Sequence, residues 1–201
     1  NDLLMTEGEN LKVKIPSINC ILGDKLTAFA PHTTGILLNT GKDMEVMKQM
    51  YDVHTLLNKF DDFDEMISTY NSIIDQEIAY RGTHIDRNDV LDDTYAAALC
   101  IASRGKTNGE EYRYYVNGIR SLRSHLFEEN YSPEIAARKA AKILYLTTCI
   151  KKGIHFHKIE DPLMYKDRNY IGIEMSLLKY FRKVDMEAFA YTIETDLLLN
   201  S

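Results

Sequence analysis

From residue 17 onward, apolar side chains recur at three- and four-residue spacing in one segment after another. Most of these segments open on a capping residue and close on glycine or proline. Ser17 follows Pro16 and can cap a first helix, in which Ile18, Ile21, Leu22, Leu26 and Phe29 form one stripe that stops near Pro31. A second helix spans 43–59, with Asp43 as its cap. Asp61 or Asp62 caps a third that runs to Tyr80 and ends at Gly82. Asp86 opens a fourth, closed by Gly105, and Asn108 with Glu111 has capping-box spacing for a fifth. Ser132-Pro133 places a capping hydroxyl before a proline at the first helical position, and that helix runs to about Lys152 before Gly153. Residues 154–168 read as a polar connector, followed by helices over roughly 170–183 and 185–199. The connectors are short, so sequential helices should be antiparallel neighbours in an all-α multi-helix bundle.

One stretch has a different period. In ENLKVKIP (residues 9–16), Leu11, Val13 and Ile15 alternate with Lys12 and Lys14, as in a half-buried strand. No later segment resembles a partner for it. The expected division is therefore a remnant of an upstream core over 1–16 and a helical domain over 17–201.

Charge and cysteine usage limit the possible roles. The net charge of −6 disfavours simple coating of nucleic acid, but its distribution is uneven. Residues 43–111 hold 15 acidic and 6 basic side chains, whereas 113–152 hold 8 basic and 3 acidic ones. Arg113, Arg120 and Arg123 lie on one predicted helix, and Arg138, Lys139 and Lys142 on the next. If those helices are antiparallel, the six form one basic surface able to hold a polynucleotide acceptor. Cys20, Cys100 and Cys149 are odd in number and lack a C-x-x-C pair, which fits buried thiols in a reducing cytoplasm. No apolar run reaches the length of a membrane span.

Lys25 is the anomaly. It falls on the apolar stripe of the first helix, so it must snorkel, pair with an acid, or face a cavity where it can grip an anion. Asp52 reads differently. It lies with Glu45, Lys48 and Lys59 on the polar side of the second helix, and an i,i+4 pair with Lys48 accounts for it without function. The connecting loop supplies Thr33, Thr34, Gly35, Gly41 and Lys42, a set able to cradle phosphate but without P-loop spacing. Asp62-Phe63-Asp64 sits at a helix start, where carboxylates belong anyway. His155-x-His157 has no accompanying ligand cluster, and no Ser or Cys has a convincing His and acid arrangement.

Taken whole, ILGDKLTAFAPHTTGI followed by GKDMEVMKQMYDVHTLL resembles the second half of the AbiEii/AbiGii toxin family, abortive-infection nucleotidyltransferases of bacterial toxin–antitoxin systems. The likeness is specific over residues 15–60 and rests on helical character beyond them. In that family a polymerase-β-like core with a Gly-Ser/Thr loop and a metal-binding aspartate pair comes first. A helical part then supplies a lysine and a further aspartate. Lys25 matches that lysine, and Asp52, in its Tyr-Asp-Val context, matches the aspartate. The resemblance implies an NTP substrate, Mg2+ held by ligands outside this chain, an RNA or tRNA acceptor, and a cognate antitoxin. It also implies Lys25 as a contact to the nucleotide phosphates, with Thr33, Thr34 and Lys42 of the adjoining loop expected to line the same nucleotide-binding pocket, and a fragment that is inert without the metal-binding carboxylates. The alternative expectation is a non-catalytic helical module that binds RNA or protein, with Lys25 merely snorkelling.

Overall fold

A computed structural model of the protein describes residues 14–82, 84–127 and 129–201. The helices are α1 (Ile18–Ala28), α2 (Asp43–Leu57), α3 (Phe63–Arg81), α4 (Arg87–Ala102), α5 (Gly109–Arg123) and α6 (Pro133–Lys152). A 3-10 turn (Pro162–Tyr165), two single-turn helices α7 (Ile173–Ser176) and α8 (Phe181–Val184), and α9 (Met186–Leu199) complete the chain. Among the described residues there is no strand, and the fold is all-α. Of the strand expected over 9–16, residues 14–16 carry none and the rest lies outside the described residues.

The caps read from the sequence account for most boundaries. The Ser17 hydroxyl accepts from the Cys20 N–H, Asp62 from Glu65, Asn108 from Glu111 and Ser132 from Ile135. Asp86 and Asp89 form a reciprocal capping box. Gly82 and Gly153 end their helices in the left-handed conformation. Asp43 departs from expectation: Lys42 holds the cap position of α2, and Asp43 is the first helical residue, accepting from the Asn39 N–H. The helix expected over 170–183 is also broken. The N–H groups of Ile171 and Gly172 are captured by the buried carboxylate of Asp196 on α9, so the helix starts only at Ile173, and turns over 177–180 divide it from a second helical turn.

α6 is the central element, packed between α4 and α9. Its small residues Ala136, Ala137, Ala140 and Ala141 admit close neighbours, and Ile143, Leu144 and Leu146 fill the core. The other main contacts are α1 with α3, α2 with α5, and α1 with α2. Two glycines set how closely these pairs approach. A Cβ on Gly23 would lie 2.6 Å from the Met66 carbonyl oxygen, and one on Gly118 would lie 2.2 Å from that of Asp43. Backbone therefore packs on backbone in α1–α3 and α5–α2.

Gly23 also decides which way α1 faces. Leu22, Leu26 and Phe29 of the expected stripe are buried, but the buried side also takes in Asn19, Gly23 and Thr27, so it is turned away from Ile18, Ile21 and Lys25. Ile18 is exposed and Ile21 is half-buried. The close approach to α3 rotates α1 about its axis and moves Lys25 to the flank of the buried face.

Candidate functional site

On that flank α1 crosses α2, and the crossing joins two residues 27 positions apart in sequence. Lys25 Nζ lies 3.9 Å from Asp52 Oδ2, and Lys48 Nζ donates to the same oxygen at 2.6 Å. Lys25 thus meets an acid, one of the three outcomes open to it. The i,i+4 pair of Lys48 with Asp52 is present as expected, but Asp52 is not simply a solvated surface residue. Its side chain is 25% exposed and sits between two ammonium groups. Lys25 occupies the last turn of α1, where the helix dipole favours a cation. Two cations around one carboxylate leave a net positive, partly exposed cluster that can receive an anion, with Asp52 orienting both lysines.

The loop between α1 and α2 is fixed by a second cluster. The His32 N–H donates to Asp93 Oδ2 at 2.8 Å, and the Thr33 hydroxyl donates to the same oxygen at 2.7 Å. His32 Nδ1 lies 2.7 Å from Asp93 Oδ1, and its Nε2 lies 3.4 Å from Glu111 Oε2. These two carboxylates raise the imidazole pKa to about 10, with the Asp93 hydrogen bond contributing most. Thr34 is buried and donates to the Thr27 carbonyl at 3.2 Å. Arg81 donates to the carbonyls of Thr34 and Gly35. Both threonine hydroxyls expected to contact nucleotide are therefore engaged within the protein and hold the shape of the loop. Lys42 is exposed and lines an opening of about 390 Å3 with Arg81, Thr40 and Gly35.

The two basic sets are handled differently. Arg113, Arg120 and Arg123 are exposed on α5. α5 packs mainly on α2 while α6 packs on α4 and α9, so the α6 set turns to another part of the molecule. There Arg138 lies 3.6 Å from Asp185, and Lys139 lies 3.2 Å from Glu129. Lys142 is buried, donating to Asn58 Oδ1 at 2.7 Å and to Glu187 Oε1 at 3.4 Å. These pairs surround a cavity of about 290 Å3 with His54 on its wall. Burial, reinforced by Lys139 and Lys142, pushes the His54 imidazole down to about 3.

Sequence reasoning missed His32 and Asp93. They are 61 residues apart, and neither breaks the pattern of its own segment. The aspartates at the start of α3 are accounted for locally: Asp62 caps the helix, and Asp64 lies 3.3 Å from His155 Nε2. Among the described residues no group of three or more His, Cys, Asp or Glu side chains could hold a metal ion. Asp52, already neutralised by two lysines, offers no alternative, so the described donor set does not fit a divalent cation.

The fold is all-α and presents a lysine–aspartate pair beside a loop held by the His32–Asp93 network. Residues 2–147 match the family described as nucleotidyl transferase AbiEii toxin, type IV toxin–antitoxin system. The chain belongs to this family of nucleotidyltransferase toxins. No curated protein and no solved structure matches it.

Proposed function

We propose that this chain supplies the lysine–aspartate half of a nucleotidyl-transfer site, in a toxin that moves a nucleotide from an NTP to an RNA acceptor such as tRNA. One observation carries the reading: α1 and α2 bring Lys25 and Asp52 to one point, with Lys48 beside them. In this reading Lys25 and Lys48 grip the triphosphate, and Asp52 holds the ammonium of Lys25 toward it. The His32–Asp93 network keeps the Thr33/Thr34 loop in place at the edge of the site, and Lys42 adds charge at the end of that loop. The exposed arginines Arg113, Arg120 and Arg123 on α5 hold the acceptor.

Transfer in this family calls for carboxylates that hold Mg2+ against the triphosphate. In our reading those carboxylates lie outside the described residues, and residues 14–201 alone are inert. Growth arrest of a phage-infected cell from within its cytoplasm, relieved by a cognate antitoxin, is the biological role that follows.

The test is Lys25→Ala and Asp52→Ala in the intact toxin, scored by growth arrest and by transfer of labelled nucleotide to total RNA. Both variants should lose toxicity and transfer while keeping the wild-type melting profile. Retained toxicity in both would refute the enzymatic reading and favour a helical RNA- or protein-binding module. Metal-dependent transfer by residues 14–201 alone would refute the division of the site.

A further inference from the structure

Residues 148–201 lie beyond the family match, and they build a cavity unlike the others. It measures about 570 Å3 and is walled by Tyr170 and Tyr180, with Lys179, Arg182, Lys183 and Asn169 around it. Among the described residues no acidic side chain lines it. The cavity between α6 and α9 is different, since Asp185, Glu187 and Glu129 balance its three bases.

Of the carboxylates nearest in sequence, Asp167 is exposed two residues before Asn169 and is not part of the wall, while the others are engaged elsewhere. Asp185 caps α9 through the Ala188 N–H and pairs with Arg138. Asp196 is buried, holding the N–H groups of Ile171 and Gly172. Glu174 accepts from the Tyr95 hydroxyl. Lys179 and Lys183 are exposed and have no ion pair among the described residues. Arg182 is anchored to oxygens of Arg168 and Asn169, neither of them a carboxylate, so its position is fixed with no ion pair among the described residues. Lys106 adds positive charge at the Tyr180 ring, 5.6 Å from its centroid, while Arg104, 4.7 Å from the same centroid, is paired with Glu134 at 3.7 Å. Like charges gathered around an opening repel one another unless an anion joins them. Tyr180 already stacks on Phe181 and carries Arg104 over its ring, so Tyr170 is the wall on which a sugar or base can lie.

We propose that this cavity binds a nucleoside phosphate, presented as a segment of single-stranded RNA. The site is separate from Lys25 and Asp52 and does not depend on what they do. The cations track the backbone phosphates, and the tyrosine wall takes the adjoining sugar and base without reading sequence.

The experiment measures binding of a fluorescein-labelled single-stranded RNA oligomer to the full chain by anisotropy across a salt series. Lys179→Gln with Lys183→Gln removes two exposed charges, and the melting curve should not change. Affinity should fall roughly tenfold, and the slope of log affinity against log salt should flatten by about 1.4, as expected for two lost phosphate contacts on a single strand. ATP is titrated in parallel. If ATP binds with the same loss in the double variant and the oligomer does not, the nucleoside phosphate is a free nucleotide and the site stands. Wild-type binding of both ligands by the double variant overturns the proposal. So does a loss seen only with Arg120→Gln and Arg123→Gln, or binding to phosphatidylserine vesicles without binding to RNA or ATP. Binding is the only readout, so a catalytically silent Lys25–Asp52 site leaves the result interpretable.

Discussion

Gly23→Ala tests the contact that orients the candidate site. In an unhindered helix this change should stabilise by about 1 kcal/mol, because alanine is the better helix former. Here the new methyl would sit 2.6 Å from the Met66 carbonyl oxygen, 2.9 Å from the Tyr70 nitrogen and 3.1 Å from Thr69 Cβ. Two of these are backbone atoms of α3 and cannot swing aside. Restoring ordinary contact requires α1 and α3 to part by about 0.8 Å, which breaks the packing of Leu22 and Leu26. Overpacking of this kind costs about 1–3 kcal/mol, so after the gain in helix propensity the net loss is about 0–2 kcal/mol. In a domain of this size that lowers Tm by roughly 2–4 °C for each kcal/mol. Lys25 lies half a turn beyond Gly23, so its distance from Asp52 should change as well, and nucleotide affinity should fall with stability. The assay is urea denaturation beside Gly109→Ala, where a Cβ meets nothing within 4 Å and alanine should be neutral or stabilising. If Gly23→Ala stabilises as Gly109→Ala does, the backbone contact between α1 and α3 does not exist and the account of the site's orientation fails.

Two further predictions follow from the charged clusters. Folding raises the His32 pKa from 6.5 to about 10, so its stabilising contribution is complete below about pH 6.5 and disappears as pH rises through 10. The ring is half exposed, and solvent screening reduces the contribution to about 1–2 kcal/mol. Urea midpoints of the wild type should therefore fall between pH 7 and 10 more steeply than those of His32→Ala, and parallel profiles would contradict the network. Lys142 is a buried cation whose acidic partner Glu187 is largely exposed, so Lys142→Met should change stability by less than about 1 kcal/mol. Lys142→Ala also removes the packed stem and should cost about 2–4 kcal/mol, and equal losses in the two variants would show that the charge matters rather than the stem.

Some of this was legible because the information is local. A serine or aspartate before an apolar run meets orphan N–H groups wherever the helix later packs, so Ser17, Asp62, Asp86, Asn108 and Ser132 could be identified from sequence alone. The segment over 170–183 misled because its spacing is helical, while the group that holds its first N–H groups out of the helix, Asp196, lies on α9. The basic set of α6 misled for a similar reason. Arg138, Lys139 and Lys142 look like an open surface until Asp185, Glu129 and Glu187 are brought opposite them.

The sequence by itself determined the all-α class, most helix ends and the oddity of Lys25, because each follows from spacing along one segment. Only the tertiary structure decided what Lys25 does. Periodicity reports which side of a helix is apolar, but Gly23 allows α1 to turn a different side onto α3, and that rotation carries Lys25 to Asp52. The pairing depends on how two helices cross, and no pattern within either helix encodes that crossing.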